Sequence, residues 1–215
     1  MDFLKRYGIK INNTTLLEVA LTHSSYANEH AAMSYERLEF LGDAILEAVS
    51  SEYFYNNTNL SEGEMSKLRA SYVCEAALCE YSKEVGIDKC IRVGHGQEGN
   101  VNETIIADCF ESVIGAIFLD QGFDVARSFI LKVMVPFIIS ETIFYDDYKS
   151  VLQEMVQTDK KSLEYRVIKE EGPAHQKYFE VEVLVDGIVY GVGSGSSKKQ
   201  AEQNAAKVAY EKRAR

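Results

Sequence analysis

The chain lacks any apolar run of the ~20 residues needed to cross a bilayer, so no membrane partner is expected. Its opening residues, Met1-Asp2-Phe3-Leu4-Lys5-Arg6, lack the apolar core of a signal peptide, which places the protein in the cytoplasm. It lacks paired-cysteine spacings of the C-x-x-C kind. The four cysteines, Cys74, Cys79, Cys90 and Cys109, therefore argue against a thiolate metal site or a disulfide framework. In a reducing compartment they read as buried thiols. Proline is scarce, at two residues, and only Pro136 falls before residue 146. Internal repeats and low-complexity tracts are absent too. So is any excess of positive charge: the net is −10, at first sight unfavourable for a nucleic-acid partner.

Splitting the chain changes that picture. Residues 1–146 carry 11 Lys+Arg against 22 Asp+Glu, a net of −11, and residues 147–215 carry 12 against 11, a net of +1. The acidity belongs to the first part, and an acidic domain can serve a polyanion if its carboxylates hold cations. With 215 residues, 46% hydrophobic and 26% charged, the chain is an ordinary globular protein of one large domain or two smaller ones.

Two styles of sequence follow one another. Residues 1–140 read as helix after helix, interrupted mainly by a loop at Gly94–Asn102. After Asp146-Asp147 a short helix is predicted over 148–157, then a strand over Leu163–Lys169. Phe179, Val181, Val183 and Val185 form a period-two apolar face. Asp186-Gly187 is a hairpin turn, because that pair tolerates the positive φ of a type I′ turn. A third strand, Ile188–Val192, and the segment Gly193-Ser194-Gly195-Ser196 lead into a helix over 198–213. Ala201, Ala205 and Val208 are spaced to face the sheet. The predicted fold is a mainly α helical bundle, residues 1–143, followed by a small α+β domain of order α-β-β-β-α, residues 147–215.

The most informative segment is Tyr35-Glu36-Arg37-Leu38-Glu39-Phe40-Leu41-Gly42-Asp43-Ala44-Ile45-Leu46. Each helical step turns about 100°, so with Glu36 at zero, Glu39 falls near 300° and Asp43 near 340°. Leu38, Leu41 and Ile45 fall on the opposite, core-facing side. A solvated acidic face is one reading of this stripe. Phe40, near about 40° and beside the acids, needs a partner surface. Glu47 lies near about 20°, but nothing else singles it out and it is not counted in the site.

A second segment, Ile105 to Leu119, is nearly all apolar, and Asp108 and Glu111 are its only charges, on one face. Charges in a buried helix are costly unless paired or bound to a cation. Ser112 and Gly115 beside them are small enough to let another helix approach. A buried acid bonded to a distant Arg or to backbone amides is the other reading. If the two helices face each other, Glu39, Asp43, Asp108 and Glu111 converge, and four carboxylates at close quarters need positive charge. Oxygen donors alone favour Mg²⁺ or Mn²⁺ over zinc, and such metals suit phosphoryl chemistry.

The stretch Glu36-Arg37-Leu38-Glu39-Phe40-Leu41-Gly42-Asp43 resembles the signature of ribonuclease III, although family members usually have Asn where Tyr35 stands. Leu21 to Glu29, Gly63 to Ala70 and Asp108 to Gly122 are similar to further family segments. The C-terminal part resembles a double-stranded-RNA-binding domain through Leu152-Gln153-Glu154, Gly172-Pro173-Ala174-His175 with Phe179, and Ser197-Lys198-Lys199-Gln200-Ala201. The resemblance covers essentially the whole chain in the bacterial two-domain order.

That resemblance implies a Mg²⁺-dependent endoribonuclease for double-stranded RNA, with Mn²⁺ able to substitute. It implies staggered cuts that leave 5′-phosphate and 3′-hydroxyl ends, and work on ribosomal RNA precursors and structured messages. It assigns Glu39, Asp43, Asp108 and Glu111 as catalytic metal-holding acids, with Glu36 assisting and Glu62 as a further supporting acid. It implies a homodimer in which Phe40 packs into the partner. His23 reads as structural. Gln153, Glu154 and His175 would meet minor grooves, and Lys198 and Lys199 the phosphates between them.

Local chemistry supports the last two. Lys198 and Lys199 at a helix N-terminus oppose its dipole at a cost of a few tenths of a kcal/mol, amid otherwise good start signals from Ser197 and Gln200. Such an exception points to function, here a grip on phosphates; A-form RNA is read by shape and backbone. The competing reading is a catalytically silent dimeric RNA-binding protein. Retention of all four acids speaks against it.

Overall fold

The structure, a computed structural model, describes residues 3–99, 101–142, 144, 148–158, 160–173 and 177–213, with the side chains of 150, 154 and 213 outside the description. The chain divides into two compact units, 1–144 and 145–215.

The first unit is helical among its described residues: α1 Thr14–Ala20, α2 Ser24–His30, α3 Glu36–Asn57, α4 Glu62–Tyr72, α5 Glu75–Val85, α6 Glu103–Gln121 and α7 Phe123–Ile139. The helix starts follow capping chemistry. Asn102 Oδ1 accepts from Ile105 N at 3.0 Å to open α6, and Ser61 with Glu64 forms a capping box on α4. The apolar character of α6 has the expected consequence. It runs through the middle of the bundle, with Phe110, Val113, Ile114, Ala116 and Ile117 fully buried against Tyr81, Phe129 and Phe54. Pro136 lies within α7, and Ser140 N closes the helix end onto its carbonyl.

The 22-residue α3 crosses α6 at two glycines. A Cβ built on Gly42 would lie 1.8 Å from the Glu111 carbonyl oxygen, and one on Gly115 would lie 2.3 Å from that of Leu38. Only hydrogen fits at either place, so the two backbones touch. Leu38 and Ile45 are buried beside this crossing, whereas Leu41 is half-buried.

The second unit is the α-β-β-β-α arrangement: α8 Tyr148–Thr158, β1 Leu163–Glu171, β2 Tyr178–Val185, β3 Ile188–Gly195 and α9 Lys198–Arg213. The sheet is antiparallel in the order β1-β2-β3. Asp186 and Gly187 take φ of 49° and 78°, the doubly positive pair a two-residue hairpin needs. Val181, Val183 and Val185 face the core as predicted. The first strand runs on to Glu171, because Glu170 and Glu171 still pair with Phe179 and Tyr178 beyond a register shift at Val167/Lys169.

Three expectations need correction. Residues 193–195 are not a lead into the last helix but the end of β3, where Gly191, Gly193 and Gly195 face α9. A Cβ on Gly193 would sit 2.1 Å from Ala205 N, so the helix rests directly on the strand. The buried stripe of α9 is Ala201, Ala205, Ala206 and Ala209, with Val208 only half-buried, because so close an approach leaves room for methyl groups alone. Finally, all four cysteines are free, but only Cys79 and Cys109 are buried. Cys74 and Cys90 are half-buried, each donating to a backbone carbonyl, of Ser71 and Gly86. Among the described residues no helix is long and apolar enough to cross a membrane.

Candidate active site

The glycine crossing positions the acids. Asp43 follows Gly42 on α3, and Gly42 rests on the backbone of Glu111 on α6. Glu39 lies one turn back on α3, and Asp108 one turn back on α6. The charges of Asp43, Glu39 and Asp108 all reach Glu111. Glu111 is pushed up to about 8, first by burial and then by the charges of Asp43, Glu39, Asp108 and Glu47. Burial, then Asp108, Glu36 and Asp43, raises Glu39 above the ordinary carboxylate range. Asp108 is raised by burial and by Glu75, against the opposing effects of a hydrogen bond from Tyr35 and the charge of His23.

The sequence left open a buried acid bonded to a distant arginine. Among the described residues no such ion pair reaches Glu111 or Asp108. The nearest equivalent is Arg69 on α4, which pairs with Glu47 at 2.9 Å and donates to Ser51 at 2.9 Å. Asp108 instead accepts from the Tyr35 hydroxyl at 3.0 Å.

The donor set fits a hard divalent cation, since it offers only carboxylate oxygens. As they stand, no three His, Cys, Asp or Glu side chains among the described residues form a ready-made metal-binding group.

Other predicted residues fall as follows. Glu36 is exposed at the start of α3, accepts from Ser34 at 2.8 Å and adds its charge to Glu39. Glu62 sits apart, accepting from Ser66 at 3.1 Å and lining a cavity of about 380 Å³ with Phe54, Tyr55 and Arg69; none of the four acids lines it. His23 is structural: it caps α2 through Nδ1, which accepts from Ser25 N at 3.2 Å. Phe40 is 81% exposed beside the acids. Periodicity alone sets Glu47 on the acidic stripe, and it does press on Glu111. Arg69 and the role of Tyr35 carry no sequence signal, since each acts across tens of residues.

In the second unit, Lys198 and Lys199 are exposed at the start of α9. Ser197 Oγ accepts from Gln200 N at 3.2 Å, while Gln200 Oε1 reaches back to Ser196 N at 3.0 Å, one residue earlier than a capping box would have it. Gln153 is exposed on α8. The Glu154 side chain and all of His175 lie outside the described residues.

Comparison with known proteins agrees with both halves. A family model described as Ribonuclease-III-like matches residues 13–138, from the cap of α1 to the penultimate residue of α7. The chain belongs to the ribonuclease III family. A second family model, described as a double-stranded RNA binding motif, matches residues 148–213 of this chain. It is similar to the Ribonuclease 3 of Listeria monocytogenes, 46% identical over 95% of this chain and 93% of the relative. It is also similar to the Ribonuclease 3 of Streptococcus gordonii, 44% identical over 96% and 93%. A solved nuclease domain of ribonuclease III from Campylobacter jejuni matches with a TM-score of 0.58 and 32% identity, covering 63% of this chain and 95% of that one. With the nuclease and RNA-binding regions both present, this member is an endoribonuclease of double-stranded RNA. Its family depends on divalent metal.

Proposed function

We propose that Glu39, Asp43, Asp108 and Glu111 form the hydrolytic centre and hold Mg²⁺, with Mn²⁺ able to substitute. The observation that carries this reading is Glu111. It is a carboxyl pushed up to about 8 by burial and by four other acids, on a helix with no basic partner among the described residues. A structural acid gains nothing from such a place; a cation ligand does. The bound ion supplies an activated water and stabilises the attacked phosphate and the leaving oxygen. Glu111 gives up its proton to take part, so metal uptake releases protons and strengthens as pH rises towards 8. The Gly42–Gly115 crossing keeps the two helices, and so the two acid pairs, at fixed separation. Glu36, at the rim, assists by pressing on Glu39.

Residues 1–143 act as the catalytic domain and residues 147–215 as the RNA-binding domain. Lys198 and Lys199 hold duplex phosphates, while Gln153, Glu154 and His175 meet the minor grooves. The exposed Phe40 is the contact to a second subunit. The Campylobacter jejuni nuclease domain is described as having a region involved in dimer formation, which supports this assignment. Two subunits carry two sites, one per strand, giving staggered cuts with 5′-phosphate and 3′-hydroxyl ends. The protein works in the cytoplasm on ribosomal RNA precursors and structured messages.

Incubation of the full chain with a long duplex RNA tests the reading. Mg²⁺ should support cutting, EDTA should stop it, and end analysis should find 5′-phosphates. Duplex left intact with Mg²⁺ or Mn²⁺ at low salt would contradict it.

A further inference from the structure

Tyr35 stands at the one position where the signature departs from its usual asparagine, and its surroundings give the departure a purpose. The ring is 3% exposed. Its backbone N donates to Thr22 O at 2.9 Å, and its carbonyl accepts from Leu38 N at 2.8 Å and Glu39 N at 3.0 Å. Tyr35 thus anchors the first turn of α3, the turn that carries Glu36 and Glu39. On one side the ring packs against His23, with centroids 5.7 Å apart. At its far end the hydroxyl donates to Asp108 Oδ2 on α6 at 3.0 Å. Burial and the adjacent Asp108 hold the phenol well above its ordinary range, so it stays a donor.

We propose that Tyr35 is a positioning residue of this site, its hydroxyl fixing how Asp108 presents its carboxylate to the divalent cation. The proposal rests on the assignment of Asp108 as a ligand. A carboxylate turns freely about its last torsion, which has only broad, two-fold preferences. A donor held by its own backbone and by a packed ring selects one orientation. Among the described residues, the Tyr35 hydroxyl is the only side chain that donates to Asp108. Outer partners of this kind set the orientation and basicity of metal-holding carboxylates. An asparagine is too short to reach the point the phenol oxygen occupies. The same link ties the start of α3 to α6.

The test is Mn²⁺ binding to the full chain, read from the resonance of free Mn²⁺, alongside the Mg²⁺ dependence of duplex cleavage. Tyr35→Phe removes only the hydroxyl. Mn²⁺ binding should weaken by about 10- to 100-fold. The Mg²⁺ concentration for half-maximal cleavage should rise in step, with cleavage recovering at saturating Mg²⁺ and KM for RNA unchanged. A merely structural role would not move metal affinity and leave KM alone. Should Tyr35→Phe fail to fold, Tyr35→Met, similarly long and without a donor, carries the same expectation. Wild-type Mn²⁺ affinity in the variant, where Asp108→Asn weakens binding, overturns the role of Tyr35 alone. If Asp108→Asn itself leaves Mn²⁺ binding unchanged, Asp108 is no ligand and both readings fall. In the Asp108→Asn background, Tyr35→Phe should add nothing further.

Discussion

Glu111, in its proposed role, would tie stability to function at a single residue. Folded, it keeps its proton up to about pH 8, whereas the ordinary value is 4.5. Between those values the folded state binds more protons than the unfolded one. Metal-free stability therefore falls as pH rises through that window, by up to about 1.4 kcal/mol per pH unit for one such group. Glu39 and Asp108, also raised, add slopes of the same sign. Glu111→Gln should flatten the slope, so that in EDTA at pH 8 the variant melts above the wild type, with the gap closing near pH 5. Parallel melting curves across that range would count against the pressure described on Glu111. The sequence displayed Asp108 and Glu111 because they were the only charges in an apolar helix. It could not display Tyr35 reaching Asp108, which lies 73 positions away, because no local pattern encodes a bond of that span.

The elements meet on glycine in both units. On α3 and α6, Gly42 and Gly115 let the backbones touch. Gly42→Ala would drive a methyl group into the Glu111 carbonyl and force the helices apart. Overpacking of this kind costs about 1–3 kcal/mol. Calorimetry should find the Tm of the first unit lowered by several degrees, and Mn²⁺ affinity reduced as the acid pairs separate. Unchanged metal affinity would show that the crossing does not set the site. On β3, Gly193→Val would lift α9 off the sheet. The full chain should then lose duplex binding while its first unit keeps its melting transition.

Legibility differed between these two interfaces for a physical reason. Gly115 and Ser112 stood out against an apolar helix and signalled close approach. Gly193 and Gly195 added nothing to a hydrophobic alternation and resembled a linker, though with Gly191 they pack directly against α9. Val208 misled in the same way: its spacing fits the buried stripe, but the close approach favours Ala209.

For the whole molecule, the proposed assembly and RNA capture would rest on exposed groups. Phe40 is 81% exposed, the most exposed of the large hydrophobics among the described residues, and the proposed dimer would bury it. Phe40→Ser should shift the chain from dimer to monomer in sedimentation, and staggered cutting should give way to single-strand nicks. Replacing Lys198 and Lys199 by alanine should weaken duplex binding and lower the slope of log affinity against log salt by about 2. An unaltered slope would place the phosphate contacts elsewhere. Phe40 was legible because it broke the amphipathic pattern, and the lysines because they opposed a helix dipole.

The most direct measurement is made on one duplex RNA with Glu111→Gln beside the wild type in Mg²⁺. The wild type should cut, and the variant should bind the duplex with wild-type affinity and leave it whole. A variant that cuts at the wild-type rate would show that the four carboxylates at the α3–α6 crossing are not where the chemistry occurs.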